Sequence, residues 1–158
     1  MPSLITHIKQ AEFFEESALY NQENYPPVAI IMCFYAALHY VEAYAVWHGH
    51  DIYSRYADVN VDQDSCSNET KLRRLTQHER YQSYVHDIAV ENDSEDLFAA
   101  YKRLHRASST ARYLKHIKEK DKTAYQHFKG ANFYIERLQI VKSALQINLI
   151  KASIIEGC

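Results

Sequence analysis

Apolar residues recur three and four positions apart along most of this chain, and that helical period organises it rather than the alternation of a strand. Over residues 3–22, Leu4, Ile8, Ala11, Phe14 and Ala18 share one helix face, the other is rich in glutamate, and Ser3 is placed to cap the first turn. Pro26 and Pro27 suit the start of a second helix, where the donor that proline lacks would have no partner anyway. That helix, residues 26–48, is apolar nearly all round. Between Val28 and Trp47 its formal charge is Glu42 alone, so it is predicted to run through the centre of the fold. Gly49 stops it, and residues 50–70, mixed in Asp, Asn, Ser and Gln with little periodicity, read as a long exposed loop.

A third helix is predicted over 69–90. An acidic connection follows over 91–95, in which Asp93 or Ser94 can cap a fourth helix over 95–117. Asp121 and Thr123 open a last helical stretch to about 155, interrupted near Gly130, with Phe133, Leu138, Val141, Leu145, Leu149 and Ile150 as its buried stripe. Short connections and one long loop predict an all-α fold, an up-and-down bundle of four to five helices forming a single domain over residues 1–158.

Composition narrows the class without changing the architecture. With 47% hydrophobic and 24% charged residues the chain is globular, and only 3 Gly and 3 Pro leave long stretches without a helix breaker. The cysteines, Cys33, Cys66 and Cys158, are odd in number and lack paired spacing, which points to a reducing compartment. The start lacks a basic patch followed by an apolar run, and every long apolar segment carries a charge. A cytoplasmic location without a membrane span is the expectation.

Net charge is -2, but its distribution is uneven. Up to Asp64 the bases are Lys9 and Arg55 against many acids, whereas between Leu97 and Lys120 stand Lys102, Arg103, Arg106, Arg112, Lys115, Lys118 and Lys120 against Glu119. Such a segment suits a phosphate or an acidic partner, or forms a solvated helix face.

Glu42 needs a partner, because an ionised carboxylate in an apolar helix is costly unless paired. On the fourth helix Leu97, Tyr101, Leu104, Ser108 and Arg112 fall within one arc, and a Glu42–Arg112 ion pair across the core is predicted. His39 with Glu42, and His48 with His50, could meet a metal, yet no cysteine supports either site, so no metal or cofactor is expected. Arginine beside histidine is the other combination of interest. An arginine holds a phosphate by two hydrogen bonds, and a histidine moves a proton to or from a ribose hydroxyl near neutral pH. Arg73 or Arg74 with His78, Arg80 with His86, and Arg112 with His116 are the candidates. Several of the 13 tyrosines, Tyr81, Tyr84, Tyr101 and Tyr113, lie beside them, to stack on bases or to fill the core.

The apolar run Ala29 to Ala45, the string Gln77-His78-Glu79-Arg80 after the loop, and then Tyr101-Lys102-Arg103-Leu104 and Ser108 to Tyr113 resemble small HEPN-type domains over roughly residues 10–150. The resemblance implies a bundle of four or five helices that dimerises. It places the chain beside metal-independent ribonucleases that act as toxins, in defence systems, or with an antitoxin or nucleotidyltransferase-type partner. Their signature is an arginine followed, after four to six residues, by a histidine. Arg80 and His86 fit it, as do Arg73 and His78; Arg112 and His116 are one residue too close. Arg80 as phosphate holder and His86 as acid or base are therefore the implied catalytic pair, with Lys102, Arg103 and Arg106 as an RNA- or nucleotide-binding surface. The chain departs from active members at Tyr81, where a small polar residue is usual, and at Ile88, where a tyrosine is common. The alternative is a non-catalytic helical module that binds a protein such as an antitoxin.

Overall fold

The computed structural model describes residues 2–56, 58–61 and 71–156. Among the described residues, eight helices and one short ribbon follow in the order α1 (Leu4–Asn21), α2 (Pro26–Trp47), α3 (Ile52–Arg55), β1 (Asp58–Val61), β2 (Lys71–Arg74), α4 (Gln77–Glu91), α5 (Glu95–Tyr113), α6 (Ala124–His127), α7 (Asn132–Ala144) and α8 (Ile147–Glu156). The five longer helices, α1, α2, α4, α5 and α7, make an all-α bundle.

The ends of these helices are written in local chemistry. Ser3 accepts a hydrogen bond from the Thr6 amide at 3.2 Å and caps α1. Pro26 and Pro27 open α2, and Gly49 closes it at a φ of 70°, a left-handed conformation that glycine adopts without strain. The closure is a Schellman-type turn, with the His50 amide bonded back to the Ala45 carbonyl at 2.8 Å.

As predicted, α2 is the axis. It packs against α1, α5 and α7, and Ile30, Cys33, Phe34, Tyr40 and Val41 are fully buried along it. Each large apolar side chain hidden this way stabilises the fold by about 1.5–3 kcal/mol. Ala29, Ala36, Ala37 and Ala43, also buried, let neighbouring helices approach closely on several sides at once. By length and composition α2 could cross a membrane, yet 61% of its most apolar window is buried inside the fold.

Four expectations are corrected. Residues 71–74 are a strand paired antiparallel with β1, Asp58 opposite Arg74 and Val61 opposite Lys71, so the third helix begins only at Gln77. Thr76 and Glu79 form a reciprocal capping box there, which fixes the start more firmly than the apolar period does. The expected loop over 50–70 contains α3 and β1; its residues 62–70, Cys66 among them, and Cys158 lie outside the described residues. The fourth helix stops at Tyr113, short of 117, because Leu114 takes a left-handed φ of 59°. The last helix is three pieces, broken before Gly130 as expected and again at Gln146, whose φ is 55°. Leu138, Val141, Leu145 and Ile150 are buried as predicted. Leu149, beyond the second break, is 62% exposed, and Phe133, in the first turn of α7 and off the arc of Leu138 and Val141, is 43% exposed.

Candidate functional site

The arginine and histidine paired on spacing do not meet within the subunit. Arg80 lies in the first turn of α4 and is only 7% exposed. Its Nε donates to the Leu75 carbonyl at 3.2 Å, and its guanidinium lies 5.5 Å from the centroid of the Tyr53 ring. His86 is six residues further on, about 9 Å along the axis and rotated by about 120°. It stands on the exposed side of α4, edge-on to Phe98 at 4.9 Å, with its Nδ1 3.7 Å from Asp87 Oδ1. Arg80 thus braces the start of α4, and His86 faces solvent elsewhere.

The predicted Glu42–Arg112 ion pair is also not formed. Glu42 is held by His7 of α1, whose Nε2 is 3.0 Å from Oε2, and by the Tyr81 hydroxyl of α4, which donates to Oε1. Arg112 donates instead to the Tyr35 hydroxyl at 2.9 Å. Tyr35 and Glu42 share a face of α2 but are seven residues, about 10.5 Å, apart, so a guanidinium at the level of the tyrosine does not reach the acid.

Around Glu42 the polar contacts continue. His7 and His39 face each other Nδ1 to Nδ1 at 3.3 Å, and the Tyr53 hydroxyl lies 3.5 Å from that of Tyr81. Burial lowers the His39 pKa against the pull of the nearby Glu42 charge, and His7 adds to the lowering. Among the described residues no group of three potential ligands is placed to hold a metal.

A different cluster gathers on the outer side of α5. Lys102, Arg103 and Arg106 line an open groove of about 810 Å³ together with Gln82 of α4, His105 and Ser109 of α5, and Lys115 and His116 beyond its end. The local fold makes this convergence. Leu114 and His116 both take positive φ values, 59° and 68°, so the chain leaves α5 abruptly and turns Lys115 and His116 towards the groove. His105 reaches from the groove towards the core, packing on Phe34 at 5.1 Å and on His78 at 4.9 Å.

Electrostatically the groove is one-sided. Among the described residues, Lys102, Arg103, Arg106, Arg112 and Lys115 form no salt bridge with any carboxylate. His105 responds to this field. Burial, and then the positive charges of His78, Arg112 and Lys115, push its pKa down to about 4, so it is neutral near pH 7. His78 is lowered by burial and by Arg112. The arrangement offers fixed cations for an anion's oxygens and a neutral imidazole for a hydrogen bond.

Lys102, Arg103 and Arg106 therefore lie together as expected, whereas Arg80 and His86 stand apart from them and from each other. The reading of the chain did not single out His105, Ser109 or Gln82. A signal was present: Lys102, His105, Arg106 and Ser109 are spaced three and four apart, which sets them on one helix face. Of the other candidates, His116 lines the groove, while the side chains of Arg73 and Arg74 lie outside the described residues. Neither family models, nor curated proteins, nor solved structures yield a match to this chain.

Proposed function

We propose that this chain is a HEPN-like RNA- or nucleotide-binding protein that takes the phosphates of its ligand in the α5 groove. The observation that carries the reading is that, among the described residues, the cations that line or flank that groove have no carboxylate partner. Like charges held close on one rigid helix repel each other, and a bound polyanion relieves that repulsion while releasing its own counterions. Lys102, Arg103, Arg106 and Lys115 position the backbone, and His105 and Ser109 supply neutral hydrogen bonds. Metal-independent cleavage at this groove would use His105 as the proton acceptor, because it is neutral near pH 7 and lies among the cations.

The test is incubation of the protein with labelled single-stranded RNA in chelator. Binding is expected in the wild type and lost in Lys102→Ala/Arg103→Ala/Arg106→Ala. Cleavage that disappears in His105→Gln assigns the chemistry to the groove. Loss in Arg80→Ala and His86→Ala, with His105→Gln active, returns it to the spacing-based pair. Equal affinity in the triple variant and the wild type overturns the reading and leaves the non-catalytic module that binds an acidic protein, such as an antitoxin.

A further inference from the structure

The basic groove does not end at Lys102. Gln82 lines both it and an adjoining hollow formed with Ser83, His86, Asp87 and Phe98. That hollow in turn shares His86 and Phe98 with a pocket of about 330 Å³ at the α4–α5 turn, whose other walls are Ala89, Val90, Asp93 and Glu95. Lys102 stands at the junction, its ammonium 5.1 Å from the centroid of the Phe98 ring. The character changes sharply across it, from cations on one side to an aromatic pair and carboxylates on the other.

We propose that this second pocket holds an unpaired nucleobase bearing an exocyclic amino group, while the phosphates attached to it lie in the α5 groove. The inference rests on the reading of that groove as a phosphate site. Three observations converge on it. His86 and the partly buried Phe98 form an edge-to-face pair, with the His86 side chain 55% exposed, and present ring surface of the kind on which bases stack. Asp87 steadies the pair: it accepts the Tyr56 hydroxyl at one oxygen and lies 3.7 Å from His86 Nδ1 at the other. Asp93 and Glu95 repel phosphate and accept hydrogen bonds, so this end rejects the backbone and suits the amino edge of cytosine, adenine or guanine better than the carbonyl-rich edge of uracil. The pocket is of a size to take one small ring system.

Fluorescence anisotropy with labelled single-stranded oligocytidine, oligoadenosine and oligouridine eight-mers at matched salt tests this directly. Cytosine and uracil have the same ring size, so their comparison isolates the amino group. Oligocytidine is expected to bind at least about fivefold more tightly than oligouridine. Asp93→Asn/Glu95→Gln, which keeps both shapes and leaves an asparagine where the left-handed backbone tolerates one, brings that ratio to one. Phe98→Leu, which preserves apolar packing but removes the ring, weakens all three oligomers about tenfold without changing the salt dependence. Equal affinity for oligocytidine and oligouridine, with salt-dependent binding intact, overturns the base pocket and leaves the phosphate groove standing. No salt-dependent binding of any oligomer overturns the groove, and the pocket with it.

Discussion

On the α1 and α7 side of α2 charges meet opposite charges, and among the described residues the cations of α5 do not. Glu15 of α1, partly buried, receives Lys142 of α7 at 2.9 Å, Tyr40 of α2 at 2.7 Å and Gln139 at 3.1 Å, while Lys151 meets Glu12 at 2.9 Å. Burial raises the Glu15 pKa, but the hydrogen bonds from Lys142, Tyr40 and Gln139 and the Lys142 charge outweigh it and hold the carboxyl below the ordinary glutamate range. Lys102 and Arg103, equally basic, lie over the rings of Phe98 and Phe133, and among the described residues neither they nor Arg106 meet a carboxylate. Charge that is paired across helices ties elements together. Charge left unpaired in a groove is available to something else, and the contrast marks which side of the bundle faces a ligand.

The largest way to break this contrast lies on the paired side. Lys142→Ala leaves Glu15 half-buried without its cation and is expected to destabilise the fold by about 2 kcal/mol, measured as the denaturant midpoint, with RNA affinity unchanged.

A smaller effect comes from His105. Its folded pKa, about 4, is below the ordinary 6.5, so the unfolded chain binds a proton that the folded one refuses. The stability linked to it is complete above pH 6.5 and is lost as pH falls from 6.5 towards 4. His105→Gln therefore shows a shallower loss of stability across that window when melting is followed against pH.

The smallest effect sits in the wall between the two sides. The Tyr101 hydroxyl is buried without a hydrogen-bond partner among the described residues, so Tyr101→Phe leaves stability unchanged or raises it by up to about 1 kcal/mol. Tyr40→Phe, which removes a donor to Glu15, lowers it in the same melting experiment.

How much of this was legible in the chain depends on the range of the interaction. The axial role of α2, its proline start and glycine stop, and the burial of Leu138, Val141 and Leu145 follow from local period and backbone chemistry. The start of α4 was legible too, in the Thr76–Glu79 capping box, but the apolar period over 69–75 masked it. The partner of Glu42 was not legible. Periodicity shows that Arg112 and His7 each sit on inward-facing helix arcs, but it does not show at which level along α2 each one arrives. The groove was half legible: the α5 cations are a run in the sequence, whereas Lys115 and His116 join them through left-handed residues that no spacing rule announces. Arg80 and His86, six residues apart on α4 and about 120° apart around it, do not meet within the subunit, as the helical offset of that spacing requires.

The central claim is that the unpaired cations of α5 carry the contact with phosphate. The direct measurement is the affinity for one single-stranded RNA oligomer as a function of salt, in the wild type and in Lys102→Ala/Arg103→Ala/Arg106→Ala. Each phosphate contact on a single strand contributes about 0.7 to the slope of log affinity against log salt, so the triple variant is predicted to lose about 2 units of slope with its fold intact. Identical slopes and affinities in the two proteins would contradict the account.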